Sequence, residues 1–253
     1  MRSPTVEILG VRVNPLTVGE LHDRLACLID GHAHAQALHV NVHGLNLAAD
    51  NPWLRDFFNQ AEIVFCDGAG VMLGARLLGQ HIPERITYAD WMWQLGEFAA
   101  QRGFTFYFLG ASPGVAQAAA ERMRARFPQL NIVGVRDGYF HKQAGHPDNE
   151  AVLADINGAR PNILILGLGM PLQEQWLRDN WERIDADVAL TGGAVFDYLS
   201  GNLQRAPTWM TANGLEWLGR LAIEPGRLWR RYVVGNPVFL ARVLKQRLIS
   251  SSR

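Results

Sequence analysis

Two cysteines, Cys27 and Cys66, are too few for a disulfide framework or a thiolate metal site, and unpaired thiols suit a reducing compartment. Both are expected in the core. No apolar run approaches the roughly 18 residues of a membrane span, which excludes an apolar transmembrane helix as the anchor. The opening MRSPTVEILG has no secretory apolar stretch, so the expected compartment is the cytoplasm. A Walker loop is missing, and the glycine-rich GLGMPLQ at 167–173 does not match GxGxxG, which counts against a nicotinamide-dependent oxidoreductase. Net charge is also absent.

That zero conceals a segregation. From Arg205 onward nine Arg or Lys residues face only Glu216 and Glu224, so the tail carries a net charge of +7 and the preceding residues −7. Within RAPTWMTANGLEWLGRLAIEPGRLWRRY, Arg220, Arg227 and Arg230 follow at steps of seven and three, which one continuous helix would place along one face. Guanidinium forks in a row suit a diphosphate. A solvated basic face or a nucleic-acid patch fits the same charges. Trp209, Trp217 and Trp229, interleaved with Leu and Arg, fit a helix lying at a membrane interface, or residues packing the tail onto a core.

Before the tail, short apolar runs alternate with helical patterns. AQALHVN, EIVFC, FTFYFLG, NIVGV, NILILG and DVALTGG read as buried strands, and ILGVRV reads as a small hairpin. Thr17 with Glu20 forms a capping box, Ser112–Pro113 reads as an N-cap and first helical residue, and Pro171 is expected to open a helix after Gly169. The polar stretch 141–150 reads as a surface loop. Strand-helix alternation predicts an α/β fold, a Rossmann-like, mostly parallel sheet flanked by helices. The expected division is a catalytic core over 1–204 and a basic helical appendage over 205–253.

Ligands of such sheets bind beyond the carboxyl ends of the strands, so chemistry is sought there. Alternation puts His39, Asn41 and His43 on one side of the first long strand. The next ends in Cys66-Asp67-Gly68, leaving a carboxylate at the lip. Gly110 begins a tight turn before a helix, and the other junctions hold Gln173 and Asp197. Each has an ordinary alternative: Asp67 as a helix cap, Arg85 paired with Glu84 or Asp90, Gln173 as a first-turn residue. His32, His34, His39 and His43 lack an acidic or Cys ligand at a metal-site spacing. Asp185 and Asp187 precede their strand and read as a solvated turn at the amino edge, so no metal site is expected.

In order along nearly the whole chain, DGAGVMLGARLLGQHIPERITYAD, FLGASPGV, LGLGMPLQEQW, TGGAVFDYLSGNLQRAP and LEWLGRLAIEPGRLWRRY resemble the WecG/TagA/CpsF glycosyltransferases of bacterial surface-polymer assembly (glycosyltransferase family 26). The resemblance implies a metal-independent inverting hexosyltransferase without cofactors. Its donor would be a UDP-sugar, its acceptor a polyprenyl-diphosphate-linked saccharide, and its station the inner leaflet of the cytoplasmic membrane. It further implies Asp67 as catalytic base, Asn41 and Arg85 beside it, Gln173 and Asp197 as substrate contacts, and Arg220, Arg227 and Arg230 as appendage arginines. His39, Val40 and Asn41 stand where the family commonly has Thr-Pro-Asn, so His39 replaces a Thr contact. Gly110 is a substrate-binding candidate on the residues alone, since its turn opens a helix whose N-terminal N–H groups suit an anion. Inverting transfer needs one base for the acceptor hydroxyl, and arginines closing as a lid would neutralise the departing UDP. The rival is an anionic-lipid or nucleic-acid binder using the tail alone, although no nucleic-acid motif is recognisable.

Overall fold

A computed structural model describes residues 4–251; the first three residues of MRSPTVEILG, and Arg253 of the basic tail, lie outside the described residues. The strands are β1 (Val6–Ile8), β2 (Val11–Val13), β3 (Ala35–Val40), β4 (Ile63–Cys66), β5 (Thr105–Gly110), β6 (Asn131–Arg136), β7 (Ile163–Gly167) and β8 (Val188–Thr191). Between them run helices α1 (Val18–Asp30), α2 (Val42–Asp50), α3 (Pro52–Gln60), α4 (Ala69–Leu77), α5 (Tyr88–Arg102), α6 (Val115–Arg126), α7 (Pro147–Ala159) and α8 (Leu172–Asn180). After the last strand come α9 (Val195–Ser200), α10 (Thr208–Ala212), α11 (Glu216–Ile223), α12 (Pro225–Trp229) and α13 (Gly235–Ser251).

All six expected long strands form, in the order β4-β3-β8-β7-β5-β6, and β1 with β2 makes the expected antiparallel hairpin. The ladders β3–β8, β8–β7, β7–β5 and β5–β6 are parallel, giving the α/β architecture. Every residue of β7 and β8 is buried, as continuous apolar strands covered on both faces should be.

The chain divides into two compact units. One joins the N-terminal residues through Thr17 to His39–Thr87 and to the tail from Gln204; the other comprises Val18–Leu38 and Tyr88–Leu203. In the second unit, Phe108 packs on Phe196 with ring centroids 4.8 Å apart. There β5 and β7 approach so closely that a Cβ on Gly110, at φ +146°, would lie 2.4 Å from the Gly167 carbonyl oxygen. Glycine is therefore the residue that fits.

In the first unit the tail is tied down by its last helix. Phe239 and Val243 of α13 are buried, and a Cβ on Gly74 of α4 would stand 2.7 Å from the Phe239 ring. Arg242 donates to the Asn46 carbonyl at 3.0 Å and to Asp50 at 2.6 Å, while Gln246 accepts from the Leu9 N–H at 2.9 Å.

Several local expectations need correction. β3 stops at Val40, so Asn41 and His43 do not extend it; Asn41 instead caps α2, its side-chain oxygen accepting from the Gly44 N–H at 3.0 Å. Ser112 and Pro113 form a turn, and α6 begins at Val115 after left-handed Gly114. Pro171 is the residue before α8, not its first. The 141–150 loop ends at His146, which caps α7. Cys66 is buried as expected, but Cys27 is exposed on α1, whose buried stripe is Leu21, Leu25, Ala26 and Ile29. Arg220, Arg227 and Arg230 do not share one helix: Glu224, at φ −128° and ψ 59°, separates α11 from α12. Pro225 is the reason, since its ring cannot continue the preceding helix.

Candidate active site

Asp67 follows β4 directly. Its N–H donates to the Val40 carbonyl at 2.8 Å, and Gly68 at φ +109° turns the chain into α4. Gly68, not Asp67, is the N-cap of that helix. The Asp67 side chain is therefore not spent on capping; it is 21% exposed, with His39 Nε2 4.0 Å away. His39 is itself buried, its ring 6.3 Å from that of Phe65.

Burial lifts the Asp67 pKa to about 7, and the Glu216 carboxylate adds to the rise. Arg231, Arg85 and Arg205 oppose it. A carboxyl poised near neutrality suits a base that must first take and then release a proton. Arg85 Nη1 donates to the Thr211 carbonyl at 3.1 Å, and Arg205 pairs with Glu216 at 3.1 Å. Burial and the Arg231 charge together press the His43 pKa down to about 4, so this ring is neutral at neutral pH.

Arg205, Arg231 and Glu216 are thus functional candidates that the sequence reading did not select. Arg231 lies in a π-helical turn over Arg230–Val234, its Nε is buried without a hydrogen-bond partner, and its guanidinium sits 5.4 Å from the Tyr232 ring centre. A π turn inserts a residue into the helical frame, so a period of 3.6 read through Arg230 selects the wrong neighbour. Pro225 was the available signal that the frame breaks. Arg220 and Arg227 meet on one carboxylate, Glu224, at 2.9 and 3.1 Å, and exposed Arg230 lies over Trp229.

Gly110, Gln173 and Asp197 belong to the second unit. Gly110 pairs with Gly167 in the β5–β7 ladder, and Gln173 binds the Gly169 N–H, so these two converge on the turn after β7. Asp197 stands half-buried in the first turn of α9. Asp187 and Asp185 are engaged at the amino end of β8, with His32 and Asn162 on the former and Arg160 on the latter. His34 stacks on Trp181 at 4.0 Å. His32 and His34 therefore serve separate contacts.

A parallel α/β sheet with a carboxylate at a strand end, its pKa raised to about 7 by burial, defines a candidate group-transfer enzyme. The model of the WecG/TagA/CpsF glycosyl transferase family matches residues 6–253, and the chain belongs to that family. It is 31% identical over 204 residues to an N-acetylglucosaminyldiphosphoundecaprenol N-acetyl-beta-D-mannosaminyltransferase of Bacillus spizizenii, covering 81% of this chain and 76% of the relative. A protein of the same description from Bacillus subtilis is 30% identical over 195 residues, covering 76% of this chain and 73% of the relative. The family and these relatives support a glycosyltransferase of cell-envelope assembly over a binding protein that uses the tail alone.

Proposed function

We propose that the chain moves a hexosyl group from a UDP-sugar to a polyprenyl-diphosphate-linked saccharide with inversion, Asp67 acting as general base. The observation carrying this reading is the Asp67 carboxylate, pushed to about pKa 7 and faced by three arginines. The acceptor hydroxyl oxygen attacks the anomeric carbon from the side opposite the diphosphate, its proton passes to Asp67, and the bond to the diphosphate breaks with its electron pair leaving on UDP. Arginines take the place of a divalent cation at the departing charge. Arg220 and Arg227 share one carboxylate, so with Arg230 they retain excess positive charge for a diphosphate. The relatives' names make an N-acetylmannosaminyl donor and a diphosphoundecaprenyl N-acetylglucosamine acceptor the first pair to test.

The tail also supports attachment to the membrane surface as a peripheral protein. Among the described residues no helix is long and apolar enough to cross a membrane. Yet Trp209, Trp229, Val233, Val234, Leu248 and Ile249 are exposed large apolar side chains of the tail, beside its basic residues. This mixture fits insertion among headgroups over anionic lipid. An apolar hollow of about 610 Å³, with Arg205, Pro207, Met210 and Leu218 in its wall, suits part of an isoprenoid chain.

UDP release by the purified protein, measured over a UDP-sugar panel with and without lipid-linked acceptor and with a chelator present, tests the reaction. Acceptor-dependent release with one donor is expected, and Asp67→Asn is expected to remove it while circular dichroism and Tm stay near wild type. Substantial turnover by folded Asp67→Asn rejects Asp67 as base; release only on adding a divalent cation rejects the arginine mechanism.

A further inference from the structure

The resemblance makes Gln173 a substrate contact, but its atoms are otherwise engaged. The residue is fully buried. Its Oε1 accepts from the Gly169 N–H at 3.2 Å and from the Gly193 N–H at 3.0 Å, and its Nε2 donates to Glu174 Oε1 at 2.8 Å. Because both partners at one end are N–H donors, the oxygen must lie there and the amide nitrogen toward Glu174. A carbonyl oxygen has two lone pairs, and both are used.

The two glycines belong to different connections. Gly169 lies in the turn from β7 to α8, Gly193 in the turn from β8 to α9, and both have positive φ, at +80° and +57°. β7 and β8 are adjacent parallel strands, with Leu166 opposite Thr191. One side chain thus spans two neighbouring turns at the carboxyl edge of the sheet, where ligands of such folds sit. Gln is the residue for this task, since its flat amide accepts twice at one end and donates at the other.

Glu174 is the anchor. It is also fully buried; its Oε1 receives the Gln173 amide and its Oε2 has no hydrogen-bond partner. An unpaired, buried carboxyl oxygen is costly, so its retention calls for a reason. Burial raises the Glu174 pKa to about 7, against the pull of the Gln173 bond and its own backbone.

We propose that Gln173 is a positioning residue rather than a ligand contact, and that Glu174 fixes it, the pair bracing the Gly169 and Gly193 turns against each other at the carboxyl ends of β7 and β8. The inference rests on the transferase reading only for its effect on catalysis; the brace itself is observable without substrate. In the unliganded wild-type protein, NMR should show slowed exchange of the Gly169 and Gly193 amides. Fast exchange of both overturns the proposal.

Gln173→Met and Glu174→Leu should each speed exchange at both glycines by about tenfold or more, the loss of one or two buried hydrogen bonds, and lower kcat/KM for donor. Glu174→Gln still offers a carbonyl to Gln173 and should retain wild-type exchange and most of the turnover. A folded Gln173→Met that loses donor affinity while both turns stay protected makes Gln173 a ligand contact and overturns the brace. Glu174→Gln as impaired as Glu174→Leu assigns the effect to the carboxylate's own charge, and overturns it too. If the transferase reading fails, the exchange measurements still decide this one.

Discussion

Asp67 carries the electrostatic argument, and its surroundings predict how it titrates. As the proposed base it must be ionised to accept a proton, so kcat/KM should rise with pH through about 7, provided the chemical step limits. Glu216 raises the Asp67 pKa and Arg231 lowers it. Glu216→Gln should therefore move the rising limb to lower pH and Arg231→Met to higher pH, each by on the order of one unit. A limb unmoved by both variants would separate the observed titration from Asp67. Glu174 makes a second prediction, on stability. Its folded-state pKa of about 7 lies above the ordinary 4.5, so its contribution is fully present below about 4.5 and is lost as pH rises toward 7. The interval is worth roughly 3 kcal/mol. Denaturant titrations at pH 4.5 and 7.5 should show Glu174→Gln losing less stability than wild type across that span. Asp67 was legible in the sequence because a strand end and two glycines framed it. Glu174 was not, because nothing in PLQEQW distinguishes a buried carboxylate from an exposed one.

Among the elements, strands were the easiest to read and the tail the hardest. Buried parallel strands are continuous apolar runs bounded by glycines, and all six long ones fall within a residue or two of their expected places. Helix starts moved where turn geometry intervened, as at Gly114 and Pro171. In the tail, the break at Glu224 and the π turn after Trp229 removed the uniform period on which the arginine row depended. Arg231, within the π turn, acts on Asp67, as does Arg205 from the irregular segment before α10; a straight helical period would have selected neither. The element that holds the tail is α13. Phe239→Ala, which empties the contact against Gly74, should cost about 3–5 kcal/mol and lower Tm. Exchange should quicken first in α4 and α13. A variant as stable as wild type would show that this contact is dispensable.

At the scale of the molecule, the tail from Gln204 belongs to one compact unit with the residues through Thr17 and with His39–Thr87. Ending the chain after Ala206 would remove Phe239 and Val243 from that unit, and with them Arg231 from Asp67. Such a truncation should abolish UDP release and raise exchange over residues 39–87, while residues 105–110 and 163–167 stay protected. An active truncated protein would sink the assignment of Arg231 to the site. Gln246 has a temporal consequence. Its bonds to Leu9 and Glu7 join positions more than 230 residues apart, so fastening the hairpin in this way closes a very long loop. On refolding from denaturant, that closure should come after the local pairing of the hairpin itself, because a long loop loses more entropy before its contact forms.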